Sequence, residues 1–269
     1  PDAAHPGEKN MTKESILTGL ETTWAGCEIV YFGETDSTNR QARMLARDGA
    51  KHGTLVIADT QSAGRGRRGR GWISPAGEGI FMSLIVRPDV HPSRVAKMSL
   101  TLALAVSRAI RKETGLDARI KWPNDIVLGG RKICGLLLEM DATAEKVESI
   151  VAGVGINVHQ TAFAEEIAHT ASSLDLMAGR RVSRSAIVRA FLKEFEQAMA
   201  LADDEMMDAY RACSATIGQR VQVIALDGTY IGTAKGITES GSLLVETDDG
   251  DVREVLAADV SVRGIMGYV

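Results

Sequence analysis

The spacing of apolar and polar positions along the 269-residue chain predicts a mixture of helices and short strands. Apolar residues recur at helical spacing over 92–113, which predicts the longest helix. Shorter helices are predicted over 11–20 and 39–50, and over 184–210 with a break near 202–204. Short apolar or β-branched runs predict strands at 27–32, 54–58, 80–86, 119–122, 125–128, 133–140 and 147–158.

These elements follow no regular strand–helix–strand rhythm, so an α+β fold with a mixed, partly antiparallel sheet is favoured. After residue 218 the pattern changes to short strands with Asp-Gly turns at 227–228 and 249–250. That change predicts a small antiparallel barrel of about fifty residues. We therefore divide the chain into an N-terminal tail with a short helix, a large domain and a barrel, over 1–25, 26–214 and 215–269.

Composition excludes several classes of protein. With 45% hydrophobic and 25% charged residues the chain can bury a sizeable core, and its net charge of −4 does not attract polyanions overall. Cys27, Cys134 and Cys213 are far apart and lack metal-ligand spacing, so buried free thiols and a cytoplasmic location are expected. No apolar run approaches the ~20 residues of a membrane-spanning helix. The polar residues 1–10 are expected to form a loose tail.

An arginine- and glycine-rich loop, GRGRRGRGW at 64–72, is the most unusual segment. Its glycines allow positive φ and close approach of a ligand, and its arginines can bind a carboxylate or phosphate bidentately. A solvated basic loop and an RNA-binding RGG tract are the alternatives. RGG tracts repeat in disordered regions, whereas this single copy lies between two predicted strands of an acidic protein. A site for a small anionic molecule is therefore favoured.

A second cluster, KWPND at 121–125, leads into a predicted hairpin that turns at 129–130. The hairpin carries Lys121, Asn124 and Asp125 on one arm and Lys132 on the other, so these groups can converge. Lysines can neutralise the charge that develops on a phosphate, and a carboxylate oxygen can hold Mg²⁺. The alternative is an ordinary solvated turn.

Two further motifs are less specific. GVGIN at 153–157 lacks the third glycine and the following helix of a dinucleotide fingerprint, so its glycines are equally compatible with close packing of a backbone or ligand. DSTN at 36–39 precedes a predicted helix and can serve as its N-cap, or its hydroxyls and amide can bind a polar head group.

Taken together and in this order, DSTN, GRGRRGRGW, KWPNDI, KICGLLLE at 132–139 and GVGIN resemble the motifs of biotin protein ligases. The combination of the arginine-rich loop with KWPND is the most specific part of the resemblance. It covers the large domain, and the C-terminal barrel looks like the SH3-like domain of that family. The implied fold is related to class II aminoacyl-tRNA synthetases and lipoate ligases.

The resemblance implies a two-step reaction. Biotin and MgATP give biotinyl-5′-AMP and pyrophosphate, and biotin then passes to one lysine of a biotin carboxyl carrier protein of acetyl-CoA carboxylase or a related carboxylase. Some relatives carry an N-terminal helix-turn-helix domain that binds DNA. About 25 residues precede the first predicted strand here, too few for such a domain, so no DNA binding is expected. No membrane partner is expected, and a homodimer through a sheet edge is compatible with the sequence.

The resemblance also implies roles for individual residues. Those implied to bind biotin are Ser37, Thr38, Asn39, Gln61, Gly64, Arg65, Gly66, Arg67, Lys132, Gly135 and Leu137. Those implied to bind ATP are Trp72, Asn124, Lys132 and Asn157. Catalytic roles are implied for Arg65, Arg67, Lys121, Asp125 and Lys132, with Asp125 as the candidate metal ligand.

Other functions remain open from the residues alone. A lipoate-type acyl ligase on the same fold is the nearest alternative, because pocket size cannot be read from sequence. A non-catalytic ligand-binding protein would not need the lysine and aspartate set of the hairpin. An RNA-binding protein would be expected to be basic with interleaved aromatic residues, whereas aromatic residues make up 4% of this chain.

Overall fold

The computed structural model describes residues 11–225, 228–257 and 261–264. The tail predicted for residues 1–10 lies outside the described residues, as does the first residue of the turn predicted at 227–228.

Six α-helices, twelve strands and two short 3-10 helices, Arg67–Gly69 and Pro92–Arg94, are present in the described residues. The helices are α1 (Lys13–Leu17), α2 (Thr38–Arg47), α3 (Val95–Thr114), α4 (Leu174–Ala178), α5 (Arg184–Met199) and α6 (Asp203–Cys213). The strands of the large domain are β1 (Glu28–Thr35), β2 (Thr54–Gln61), β3 (Gly79–Val86), β4 (Arg119–Lys121), β5 (Asp125–Leu128), β6 (Arg131–Ala142) and β7 (Val147–Asn157). The C-terminal strands are β8 (Arg220–Ala225), β9 (Gly228–Ile237), β10 (Leu243–Thr247), β11 (Val252–Val255) and β12 (Ser261–Gly264).

The first seven strands form one mixed sheet in the order β1-β2-β3-β7-β6-β5-β4. Strands β1 and β2 are parallel because helix α2 connects them, and the other neighbours are antiparallel. The long strands β3, β7 and β6 form the centre of the sheet. The predicted α+β fold with a partly antiparallel sheet is confirmed.

Helices cover both faces of this sheet. Helix α3 buries eleven of its twenty residues and packs against α5 over the side that carries Ile80, Met82 and Leu84 of β3. Gly115, at φ 75°, provides the left-handed C-cap that ends α3. On the opposite face the small residues of α2 allow that helix to lie close to Ile85. The remaining part of the α2 face is open and forms the candidate site described below.

The last five strands form an antiparallel sheet in the order β11-β10-β9-β8-β12. Trp122 of the large domain connects the two sheets. Its indole Nε1 donates to the Gly241 carbonyl at 3.0 Å, and its backbone N–H donates to Thr216 Oγ1 at 2.9 Å. Trp122 is only 1% exposed, so the C-terminal sheet is packed directly beneath the KWPND segment.

Several elements differ from the sequence-based predictions. Strands β1 and β2 continue three residues further than predicted, because their polar ends remain paired in register. Glu34 is paired with Thr60, and Thr35 with Gln61. Helix α4 and strand β12 were not predicted, since each has only four or five residues and weak periodicity. The prediction that all three thiols are buried is wrong for Cys27, which is exposed in the turn before β1. No helix in the described ranges is long and apolar enough to cross a membrane.

Candidate active site

A cavity of about 470 Å³, partly open to solvent, lies on the α2 face of the large sheet. Its floor consists of three glycines on neighbouring strands, Gly135 of β6 with Gly153 and Gly155 of β7. Gly135 and Gly155 are register partners, and Gly153 is paired with Ser83 of β3 on its other side. Without side chains at these positions the sheet leaves a hollow on this face.

One wall of the cavity is formed by the N-terminus of α2. The Thr38 backbone N–H donates to Gln61 Oε1 at 2.8 Å, and Gln61 Nε2 donates to Ser74 Oγ at 2.9 Å. Ser37 is the N-cap residue of α2, but its side chain makes no capping hydrogen bond. The simple N-cap interpretation of DSTN is therefore wrong for this hydroxyl, which is instead part of the cavity lining.

The arginine-rich loop passes over the cavity as a tight, internally bonded turn. The Gly66 N–H donates to the Arg70 carbonyl at 2.7 Å, and the Trp72 N–H donates to the Gly64 carbonyl at 2.9 Å. Among the loop glycines only Gly69 has a positive φ, of 72°, so the expectation of general backbone freedom is too broad. Gly64 is required for space, because a Cβ there would lie 2.4 Å from the Trp72 carbonyl oxygen.

Trp72 lies directly over the glycine floor. A Cβ added at Gly155 would lie 2.7 Å from its indole ring, and one added at Gly135 would lie 2.8 Å from it. The Lys132 ammonium is 5.4 Å from the ring centroid, within the range of a cation–π interaction. The close-packing interpretation of the GVGIN glycines is thus correct, because Gly153 faces the Asn39 amide and Gly155 faces the indole.

Positive charge is concentrated at the end of the cavity near the KWPND hairpin. Lys132 Nζ is 2.8 Å from Asp125 Oδ1, so the two arms of the hairpin converge as predicted. Arg67 Nη1 donates to Asn124 Oδ1 at 2.9 Å, and its Nη2 donates to the Ala257 carbonyl of the C-terminal segment. Burial lowers the pKa of the Arg67 guanidinium below its usual value, although an arginine remains charged at neutral pH.

Lys121 lies next to this charged end and is 7% exposed. Burial, which disfavours the charged ammonium, lowers its pKa to about 8, while nearby Asp125 acts in the opposite direction. Lys121 and Asp125 are register partners in the β4–β5 pair. A lysine with this pKa changes its charge close to neutral pH, so the electrostatics of this end of the cavity depend on pH.

Most of the residues proposed from the sequence line this one cavity: Ser37, Thr38, Asn39, Gln61, Arg65, Gly66, Arg67, Trp72, Asn124, Lys132, Gly135 and Leu137. Gly64 lines a shallower groove behind the loop. Lys121 and Asp125 lie beside the charged end, and Asn157 lies at the end of β7, where its Nδ2 donates to the Ser172 carbonyl at 3.1 Å. Met82, Leu136 and Val154 of the central strands also border the cavity but were not proposed, because they are apolar strand residues that belong to the core packed against α3.

The described residues offer little for a metal ion held by the protein alone. Across 11–225, 228–257 and 261–264 no group of three or more His, Cys, Asp or Glu side chains is placed to hold one. Asp125 is the acidic side chain nearest the charged end, and it is already paired with Lys132. This donor set fits a Mg²⁺ ion that arrives with nucleotide phosphates and takes at most one protein carboxylate.

Known proteins share both parts of this architecture. Residues 31–157 match the Biotin/lipoate A/B protein ligase family, and residues 216–263 match the Biotin protein ligase C terminal domain. The chain is 36% identical over 263 residues to the Bifunctional ligase/repressor BirA of Bacillus subtilis, covering 96% of this chain and 80% of that protein. It is 35% identical over 272 residues to the Biotin–[acetyl-CoA-carboxylase] ligase of Mycobacterium tuberculosis, covering 96% and 97%.

A solved structure has a similar fold. A biotin protein ligase from Aquifex aeolicus, in complex with biotin and ATP, superimposes with a TM-score of 0.77 at 28% identity. The match covers 88% of this chain and 99% of that one.

Proposed function

Because the chain belongs to the biotin/lipoate A/B protein ligase family, we propose that its glycine-floored cavity is where biotin and ATP react. The chain is a biotin-activating ligase: with MgATP it forms biotinyl-5′-AMP and pyrophosphate, and it then acylates a lysine of a protein acceptor. One observation carries this assignment to the cavity. A wall of hydroxyl and amide groups faces a cluster of arginine and lysine across a single cavity.

The polar wall suits the bicyclic head of biotin. Its ureido group has a carbonyl that accepts hydrogen bonds and two N–H groups that donate them. Ser37, Thr38 and Gln61 supply hydroxyl and amide groups of both kinds at one end of the cavity. A dithiolane ring has no comparable hydrogen-bonding groups, so this wall favours biotin over lipoate as the acid.

The charged end suits the reacting carboxylate and the phosphates. In adenylation a carboxylate oxygen attacks the α-phosphorus, and the bond to the bridging oxygen of the departing pyrophosphate breaks. Two anions must approach each other, so neutralisation by Arg65, Arg67 and Lys132 is the main requirement. Lys121 and Asp125, beside this end, are proposed to act on the pyrophosphate side. Mg²⁺ would neutralise phosphate charge there, with Asp125 as the candidate protein ligand.

Trp72 and Asn124 are proposed to form the adenine side of the cavity, with Asn157 near its edge. The indole over Gly135 and Gly155 offers an aromatic face against which a base can stack. The loop at 64–72, with Gly64 and Gly66 in contact with ligand, is proposed to cover the adenylate, a labile mixed anhydride, and to exclude water from it.

In the second step the amine of the acceptor lysine attacks the acyl carbon and loses a proton. An amide forms, the bond between the acyl carbon and the phosphate oxygen breaks, and AMP leaves with that oxygen and the electron pair. We propose a biotin carboxyl carrier protein of acetyl-CoA carboxylase or a related carboxylase as the acceptor, because two relatives are named biotin–[acetyl-CoA-carboxylase] ligases. Residues 26–214 are proposed as the catalytic domain and 215–269 as the SH3-like domain. A cytoplasmic location and a homodimer remain predictions.

A transfer assay tests this proposal. The protein is incubated with MgATP, biotin and a purified carrier protein, and the product is examined by mass spectrometry. We expect one biotin amide on one lysine, and no product when that lysine is replaced by arginine. Substitution K132A should abolish the product, because it removes the cation at the reacting carboxylate. Unchanged transfer by the K132A variant, or transfer of lipoate in place of biotin, contradicts the proposal.

A further inference from the structure

The Asn39 amide in the polar wall is held on both sides by other protein groups. Asn39 is 5% exposed, and its Nδ2 is 2.9 Å from Glu139 Oε2 and 3.3 Å from the Leu137 carbonyl oxygen. Its Oδ1 is 2.6 Å from Ser83 Oγ. A carboxylate and a carbonyl can only accept hydrogen bonds, so the NH₂ group must face β6 and the oxygen must face Ser83.

This orientation determines where the neighbouring protons lie. Ser83 Oγ is within reach of Asn39 Oδ1 and also of Thr38 Oγ1, at 2.9 Å, but it has a single proton. Asn39 Oδ1 cannot donate, so Ser83 donates to it. The Thr38 hydroxyl donates to Gln61 Oε1, which is 3.1 Å away and also accepts from the Thr38 backbone N–H. With its proton directed to Gln61, the Thr38 oxygen keeps lone pairs that can accept from a group in the cavity that Thr38 lines.

Glu139 is itself held in place from the solvent side. Arg43 of α2 lies 3.5 Å from Glu139 Oε1 and 2.8 Å from Asp141 Oδ1 on the same strand, and Arg47 also bonds Asp141. Glu139 and Asp141 have similar side-chain exposures, 22% and 25%. Of the two carboxylates, Glu139 is the one that accepts from Asn39 Nδ2. The pair therefore provides one carboxylate that bonds both Asn39 and Arg43, and a matched one that bonds Arg43 and Arg47.

We infer that Glu139 and Ser83 are positioning residues, which lock the Asn39 amide and so make the Thr38 hydroxyl an acceptor for an N–H group of the substrate ring. The inference rests on the proposed function, because it assigns this wall to the ureido head of biotin. The ligand class selected is a cyclic urea or a similar ring with an exposed N–H. If the Asn39 amide flips, the donor and acceptor positions along the wall are exchanged, and the wall no longer complements such a ring.

Biotin titration by calorimetry, with steady-state kinetics, tests the inference. Substitution E139L removes an acceptor of Asn39 Nδ2, so the Kd and KM for biotin should rise about tenfold, while kcat and the KM for ATP change little. Glutamine keeps an acceptor oxygen, so E139Q should remain within about threefold of wild type. D141N is the matched control and should bind biotin as wild type does. S83A removes the donor to Asn39 Oδ1 and should weaken biotin binding as much as E139L does. It tests the same inference if the E139L variant folds poorly.

A double-mutant cycle separates positioning from general stability. If Glu139 acts through Asn39, the variant N39A/E139L should bind biotin no more weakly than N39A alone. An equal additional loss in the N39A background, an equal loss in D141N, or unchanged biotin affinity in both E139L and S83A overturns the inference. Absence of biotin binding by the wild-type protein is a different result, which contradicts the proposed function and the inference with it.

Discussion

Arg67 is the residue whose replacement tests most directly how the loop closes over the cavity. Its guanidinium bonds Asn124 in the KWPND segment at 2.9 Å and also the Ala257 carbonyl of the C-terminal segment. The substitution R67A removes both tethers of the loop and one of the cations proposed at the reacting carboxylate. We expect slower formation of the adenylate and faster escape of the adenylate once it is formed.

The size of the effect follows from the bonds that are lost. A hydrogen bond from a charged donor contributes about 1.5–3 kcal/mol. Counting only the bond to Asn124 Oδ1, since the Ala257 carbonyl can be hydrated once the loop opens, the closed-to-open ratio should fall roughly 10- to 150-fold. Escape of the adenylate through the open loop should accelerate by the same factor. Removal of one transition-state donor should slow adenylation by about 10²–10³-fold.

The assay isolates the enzyme–adenylate complex. The protein is loaded with labelled biotin and MgATP in the presence of pyrophosphatase, separated from small molecules, and the release of biotinyl-5′-AMP is followed over time. Serum albumin added to the mixture reports labelling of arbitrary lysines. R70A is the control, because Arg70 is an exposed arginine of the same loop and does not line the cavity. Adenylate retention and target selectivity in R67A equal to those of R70A would refute the reasoning.

Three further predictions concern the charged end, the domain contact and the cavity floor. Lys121 is protonated below its pKa of about 8 and neutral above it, so kcat/KM for ATP should fall as pH rises through about 8. The variant K121R should lose that decrease, because arginine stays charged; a pH profile of both proteins decides. W122F should lower the free energy of unfolding by about 1–3 kcal/mol, measured by denaturant titration, because it leaves a buried carbonyl without its donor. G155A should raise the KM for ATP about tenfold by displacing Trp72, whereas G33A, at a glycine with open space around it, should not. An unchanged KM for ATP in G155A would contradict the placement of the Trp72 indole in the ATP site.

Much of the fold follows from local sequence pattern. Helix α3 was predicted because its apolar residues repeat over five turns, and the 129–130 hairpin because two adjacent glycines favour a tight turn. In the structure those glycines take φ of 54° and 75°. The order of strands in the sheet could not be predicted. It depends on which apolar strands pair across long stretches of chain, and β3 joins β7 through such a long-range pairing.

In the candidate site, too, some features follow from local sequence and others depend on long-range contacts. The charged hairpin and the loop are conspicuous in sequence because their residue types are costly to bury without partners. The glycines of the floor were noticed in sequence, but their meeting on neighbouring strands could not be. The Ser83–Asn39–Glu139 contacts could not be predicted either, because Ser83 and Glu139 are ordinary strand residues that become informative only when the strands lie side by side. The prediction of general backbone freedom in the loop was too broad for a related reason. Gly64 is needed to avoid the Trp72 carbonyl, a contact invisible in sequence.

The central claim is that this cavity activates biotin by adenylation, and exchange of labelled pyrophosphate into ATP measures that step alone. With the wild-type protein and MgATP, label should enter ATP when biotin is present and should not enter when biotin is omitted or replaced by lipoate. K132A should show no biotin-dependent exchange. Exchange that is independent of biotin, that responds to lipoate instead, or that is absent from the folded wild-type protein would contradict the account.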